Sequence, residues 1–350
     1  MKVSKKLKKN IFYILCIIVG VSGTLAFTST VFSGSKANAK NSGKLVIVSP
    51  DKLKKFDFKD AITVEENEAF EKYKLILSKD SNELNGEMYN TGYKVTVDKA
   101  TLKNIELNDK TSYGFNNDVE IKSVSGNLEI IFPTQYKENF IFQHPVSKNE
   151  VYILIAKKAN PYSYSVTLDP GHGGIDGGSN VGDFYEKDVT LKLAKYMKMG
   201  LIYGGSKIVM TREDDEVNDN DRQRLREITE IANKANTDIF VSIHLNSFET
   251  SEPKGMTTYY YTKGHEDQAA GREKLASIIQ KNIISKDGWR DNDIRKENFQ
   301  VLRDTKMPSV LIEAGYISNA EDRAKLQQDK ILYNIAESIN NGIFEYLNKK

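Results

Sequence analysis

Three side chains able to hold a metal ion follow apolar, strand-like runs: His172 after Val166-Thr167-Leu168, His244 after Ile239-Phe240-Val241-Ser242-Ile243, and Glu313 after Ser309-Val310-Leu311-Ile312. The first run opens into Asp169-Pro170-Gly171-His172-Gly173-Gly174-Ile175-Asp176-Gly177-Gly178. Glycine at that density requires tight turns or close approach to a ligand. A dinucleotide-binding loop is disfavoured, because counting from Gly171 the sixth position is Asp176 rather than glycine. In open α/β sheets, ligands bind in the crevice beyond the carboxyl ends of the strands. Each residue alone has a plain explanation: a satisfied core histidine, or a loop salt bridge. Their shared placement makes one site the simpler reading. Glu186, at the start of a helix near Lys187-Asp188, is a fourth candidate. Acidic residues are favoured there by the helix dipole, so its position leaves both readings open.

Stepwise alternation of short strands and amphipathic stretches follows Asn160-Pro161. Strand-like segments at Ser165–Asp169, Lys207–Thr211, Ile239–His244, Thr257–Tyr261 and Ser309–Ile312 alternate with helical stripes. Those stripes are carried by Val189/Leu193/Met197, Leu225/Ile228/Ala232, Leu275/Ile279/Ile283 and Ile331/Ile335/Ile339. The pattern predicts an α/β catalytic domain with a largely parallel sheet flanked by helices.

Taken in order, Asp169-Pro170-Gly171-His172-Gly173-Gly174, Glu186-Lys187-Asp188, Thr211-Arg212, Val241-Ser242-Ile243-His244-Leu245-Asn246 and Leu311-Ile312-Glu313-Ala314-Gly315-Tyr316-Ile317-Ser318-Asn319 resemble the zinc-dependent N-acetylmuramoyl-L-alanine amidases, the type 3 family. The similarity spans roughly residues 163–347. Leu245 stands where the family usually has a smaller residue, and Tyr316 where it usually has Phe. The resemblance implies zinc on His172, Glu186 and His244, with Glu313 catalytic. Two histidines and a carboxylate leave one zinc position open, as in hydrolytic sites. A carboxylate that is not a ligand would pass a proton from water to the leaving nitrogen. The implied substrate is peptidoglycan, cut between N-acetylmuramic acid and L-alanine. A zinc peptidase acting within the stem peptide has the same metal set. A non-catalytic wall-binding protein is disfavoured, since all four residues are present. Asp169 and Asn246 are candidate partners for the ligand histidines.

Composition sets the context. The formal net charge is +2 over 350 residues, so the chain lacks the basic field of a nucleic-acid binder. Lys2, Lys5, Lys6, Lys8 and Lys9 precede the apolar run Ile11–Phe27. That pattern reads as a signal peptide or membrane anchor over residues 1–32, with the remainder exported to the cell wall or the outer face of the membrane. An uncleaved segment would tether the chain to the membrane as an N-terminal hydrophobic helix. Ala37-Asn38-Ala39 is a candidate cleavage site. The only cysteine, Cys16, lies in the apolar run, so the exported part has no thiolate for a metal and no disulfide.

Residues 33–43 read as a linker, and 163–350 as the catalytic domain. Between them, residues 44–158 hold short β-branched and aromatic runs at Leu45–Val48, Tyr73–Leu77, Tyr93–Val97, Val119–Val124, Leu128–Phe132 and Val151–Ala156. Turn residues separate them at Asn85-Gly86, Thr91-Gly92 and Ser125-Gly126. This predicts a small all-β domain. Its place between anchor and enzyme fits a wall- or partner-binding module, with a spacer as the alternative. A protein activator is a further partner that the residues do not identify. His144, beside Pro145, reads as a surface loop residue rather than a ligand.

Overall fold

Strand-forming runs of alternating apolar residues build two antiparallel sheets in the N-terminal half. In the computed structural model, which describes residues 62–77, 84–90, 92–98, 113–114, 119–215 and 221–348, these are β1 (Ile62–Glu66), β2 (Phe70–Ile76), β3 (Asn85–Tyr89), β4 (Gly92–Asp98), β5 (Tyr113–Gly114), β6 (Glu120–Val124), β7 (Asn127–Pro133), β8 (Phe140–Gln143) and β9 (Glu150–Ala156). The sheets run β1-β2-β9-β8 and β3-β4-β7-β6-β5. Tyr73, Leu75, Val151, Ile153 and Ile155 of the first share one core with Val95, Val97, Ile121, Leu128 and Ile130 of the second. Period-two burial of this kind makes a sandwich. Ser125 and Gly126 have φ of 50° and 87°, the two positive values that a tight hairpin between β6 and β7 requires. Asn85-Gly86, expected as a turn, instead opens β3. Residues 1–43 and Leu45–Val48 lie outside the described residues.

The second half follows as β10 (Tyr164–Pro170), β11 (Asn180–Val181), β12 (Phe184–Tyr185), α1 (Glu186–Tyr203), β13 (Ser206–Met210), α2 (Asp221–Ala235), β14 (Ile239–Asn246) and β15 (Met256–Tyr260). Then come α3 (Ala269–Ile283), β16 (Asp291–Lys296), α4 (Gln300–Arg303), β17 (Ser309–Tyr316), α5 (Ala320–Leu326) and α6 (Asp329–Leu347). The central sheet has the order β13-β10-β14-β17-β15-β16. The sheet is mixed: β15 runs antiparallel to β17, while the other pairings are parallel. The reason lies in the connection. No helix intervenes between β14 and β15, so no crossover returns the chain to the same direction. β16, Asp-Asn-Asp-Ile-Arg-Lys, was not expected. It is an edge strand, and its charges discourage further pairing there.

Side-chain alternation divides the sheet into two faces. Val166, Leu168, Val241, Ile243, Val310 and Ile312 enter a large core with Leu193, Met197, Ile279, Ile335 and Ile339, so α1, α3 and α6 cover that face. Phe240 and Leu311, one residue out of phase, pack with Ile228 and Ala232 of α2 and Val301 and Leu302 of α4. Asp169, Ser242, His244 and Glu313 share this second parity. His244 and Glu313 thus rise from the face covered by α2 and α4. The sandwich joins the opposite layer, where Phe70, Leu154 and Ala156 cluster with Ile202 of α1. The described residues accordingly form one compact unit. Among the described residues, no helix is long and apolar enough to cross a membrane.

Arg272 of α3 is fully buried. It donates to the carbonyls of Tyr261, Leu302, Thr305 and Met307 and to Ser309 Oγ, which fixes the segment carrying α4 against β17. Arg272→Met fills similar space but strands these acceptors. Unfolding in denaturant is expected to show a loss of about 3 kcal/mol or more; a loss under about 1 kcal/mol would mean the carbonyls find other donors.

Candidate metal centre

Immediately after β10, Gly171 N donates to Ile243 O over 2.9 Å, continuing the parallel pairing one step. The chain then turns sharply. His172 has a φ of 62°, with Gly173 at 137° and Gly174 at 60°. A left-handed histidine is strained and needs surrounding restraints. They are present: Arg224 of α2 donates to His172 O, and Gly173 N and Asp176 O are 2.8 Å apart. His172 Nδ1 lies 2.7 Å from Asp176 Oδ2, which as a carboxylate only accepts. Nδ1 therefore carries the proton and Nε2 faces the site.

Glu186 is the first residue of α1 and only 2% exposed. Its Oε1 lies 3.2 Å from His172 Nε2 and 3.0 Å from His244 Nδ1, and it accepts from Leu245 N at 2.9 Å. Oε2 accepts from Ser179 N at 2.9 Å. The donor atoms of His172, Glu186 and His244 all lie within 4.8 Å of one another. Burial alone would raise the Glu186 carboxyl. Hydrogen bonds from the two imidazoles outweigh it and hold the group far below the usual carboxylate range. Burial alone would lower His172, but Glu186 and then Asp176 raise it to about 9. His244 is raised in the same way, against burial, by Glu186 and the charge of Glu313.

Two glycines of the loop leave room for these side chains. A Cβ on Gly171 would lie 2.3 Å from His244 Cε1. One on Gly178, at φ 63°, would lie 2.7 Å from both Glu186 Oε2 and the His172 ring. The glycine run therefore does admit close neighbours, and they are the protein's own ligand-type side chains.

Glu313 stands opposite His244 in the β14–β17 register. Its Oε2 is buried with no hydrogen-bond partner among the described residues. Burial pushes the carboxyl up to about 7, with the charge of His244 pulling the other way. A cleft of about 400 Å³ opens above it. Gly171, His172, His244 and Glu313 form its floor; Leu225 and Ile228 of α2, with Phe299 and Val301 at α4, form its apolar wall.

The structure brings together all four predicted site residues and reassigns several others. Asp169, a candidate partner for the histidines, accepts instead from Thr211 Oγ1 and Ser242 Oγ, both at 2.7 Å. It ties β10 to its neighbours. Asn246 accepts on its side chain from Ser247 N. The partner of His172 is Asp176, visible in sequence only as a carboxylate four residues on. Arg212 donates to the carbonyls of Pro170, Gly171 and Lys187, so the Thr211-Arg212 pair clamps the loop to α1. Asn319 caps α5. His144 accepts on Nδ1 from Val146 N and Ser147 N, within its own loop.

The family profile of N-acetylmuramoyl-L-alanine amidases matches residues 166–345, just over half of the chain. The chain belongs to this family. Among named relatives, it is 36% identical over 182 residues to the N-acetylmuramoyl-L-alanine amidase LytC of Bacillus subtilis, covering 52% of this chain and 35% of LytC. It is 36% identical over 195 residues to the probable cell wall amidase LytH of Staphylococcus aureus, covering 54% of this chain and 61% of LytH. The chain thus spans less than two thirds of either relative. Among solved structures, an N-acetylmuramoyl-L-alanine amidase from Clostridium difficile 630 is 34% identical with a TM-score of 0.49, over 53% of this chain and 98% of that one. The CwlD amidase from Clostridioides difficile, solved with the GerS lipoprotein, is 32% identical with a TM-score of 0.48, over 54% of this chain and all of that one.

Since a methyl at Gly171 would overlap the His244 ring, Gly171→Ala is expected to displace that ring and cost about 1–3 kcal/mol. Denaturant unfolding and the imidazole NMR resonances of His244 read the two effects. Unchanged resonances would show that the ring has room to retreat.

Proposed function

We propose that the protein is a zinc-dependent peptidoglycan hydrolase that cleaves the amide bond between N-acetylmuramic acid and the L-alanine of the stem peptide. The observation that carries this reading is the convergence of His172, Glu186 and His244 on one point, with the unpartnered Glu313 Oε2 in the same cleft. Two imidazoles and a carboxylate form the donor set of hydrolytic zinc sites, and the absence of cysteine from the described residues suits it. The clustered donors therefore fit zinc. Zinc held there would act as a Lewis acid toward an amide carbonyl and acidify water.

The remaining steps belong to the chain's own groups. Asp176 holds His172 in the tautomer that directs Nε2 inward. Glu313 Oε2 takes a proton from the attacking water and returns it to the departing amide nitrogen. A carboxyl held at about 7 is suited to both halves of that transfer near neutral pH. An amine leaves poorly unless protonated, so the second half matters as much as the first. The apolar wall at Leu225, Ile228 and Phe299 restricts water on the side facing the floor.

By this reading the chain works outside the cytoplasm, with residues 1–32 directing export and 33–43 linking them to the rest. Residues 44–158 serve as a module that holds the wall or a partner, and 163–350 catalyse.

Mass spectrometry of digested peptidoglycan should show intact glycan and new L-alanine amino termini; cleavage inside the stem peptide would favour a peptidase instead. Glu313→Gln should retain about one zinc per chain while turnover falls roughly a hundredfold or more. Glu186→Gln removes an anionic ligand, so zinc content itself should fall. Should Glu313→Gln lose its metal, Glu313 is a ligand and the assigned roles are wrong.

A further inference from the structure

A second cavity, of about 320 Å³, lies in the seam between the sandwich and helices α1 and α6. It shares no lining residue with the catalytic cleft. Its size falls at the low end of small-molecule sites, about 300–1,000 Å³. Tyr152 of β9, Tyr196 and Tyr203 of α1, and Tyr333 and Phe344 of α6 supply aromatic walls. The Tyr196 and Tyr333 rings are 6.4 Å apart and steeply inclined.

Charge narrows the ligand class. Lys72 Nζ already sits over the rings of Tyr203 and Tyr152, at 4.5 and 5.3 Å. The chain's own cation thus occupies the faces that would cage a cationic ligand. Lys286 pairs with Glu337 at 3.6 Å, so the lining carries no free cluster of positive charge for a phosphate or carboxylate. A neutral ligand remains, with apolar faces for the rings and polar groups for the amides. Asn340 adds a specific demand. It is 6% exposed and donates from Nδ2 to Met197 O at 3.1 Å. Its Oδ1 is buried without a partner. A buried amide oxygen in this state calls for a hydrogen-bond donor.

We propose that this seam binds an N-acetylated sugar, whose ring face lies on Tyr196 and Tyr333 and whose acetamide N–H reaches Asn340 Oδ1. The choice of wall glycan as its source rests on the amidase reading; the sugar chemistry itself does not. The site would hold the substrate polymer away from the metal centre while the cleft acts on another part of it.

The test uses the zinc-loaded full chain and the N-acetylglucosamine trimer, titrated by calorimetry, with maltotriose as the sugar lacking acetamides. Saturable binding of the trimer is expected, weaker for maltotriose by about tenfold or more. Tyr333→Ala and Asn340→Leu should each weaken trimer binding by about tenfold or more. Release of L-alanine amino termini from a soluble muropeptide should change by less than about twofold in both variants, which separates this site from the amidase reading. Thermal unfolding checks that both variants fold. Where one does not, trimer-induced shifts of labelled tyrosine rings in the unaltered chain replace it, with Tyr333 and Tyr196 expected to move. Absent trimer binding, equal affinity for maltotriose, binding unchanged in both variants, or unmoved tyrosines would each overturn the proposal.

Discussion

A carboxylate taken almost wholly out of water must be compensated at nearly every lone pair, and Glu186 imposes that condition on its surroundings. Two imidazoles, Leu245 N and Ser179 N surround its oxygens. These partners come from two separate stretches of chain, and each stretch must be brought in and held. The strand register supplies Leu245 and His244. The loop from Gly171 to Ser179 supplies His172 and a backbone amide. That loop can lie so close only because Gly171 and Gly178 have no side chains. Arg212 and Arg224, both buried, then anchor the loop through its carbonyls. The glycine run, the left-handed histidine and the two buried arginines are consequences of one buried charge.

Burial raises both site carboxylates, yet their surroundings leave them shifted in opposite directions. Glu186 is surrounded by donors and kept ionised. Glu313, on β17, has a buried oxygen with nothing to accept from among the described residues, and its carboxyl rises to about 7. Carboxylates in one site whose environments drive them apart are suited to different tasks: one to hold a cation, the other to exchange a proton. The division depends on hydrogen-bond supply rather than depth, since both groups are shielded from water.

Periodicity and placement made much of the second half legible. The apolar runs through β10, β14 and β17 gave the strands, and the rule that ligands sit beyond strand ends gathered His172, His244 and Glu313. Bounds were less legible: Glu313 lies inside β17, which continues to Tyr316. β15 was expected as a strand at Thr257–Tyr261, but its direction leaves no mark in composition, while the charged edge strand β16 was missed because it carries no apolar run. Asp169 was misjudged for a related reason. It shares the sheet face of His244, but its oxygens are taken by Thr211 and Ser242. Buried arginines such as Arg272 leave no mark in the pattern at all, because their partners are carbonyls, which every residue has.

Helix α1 links the two cavities physically. Glu186 opens it at the metal centre, and Tyr203 closes it at the seam. At 1.5 Å per residue the two ends are roughly 25 Å apart. Leu193, Ala194, Met197 and Leu201 bury the helix against the sheet and α6, so that distance is set by a packed element rather than a loop. A polymer engaged at both ends would therefore meet the catalytic floor at a fixed span from its point of attachment. The sandwich contributes Tyr152 and Lys72 to the far end of this ruler and none of the residues lining the cleft. Its influence on the reaction would then act through where the substrate is held, leaving the proton chemistry to Glu313 and its surroundings.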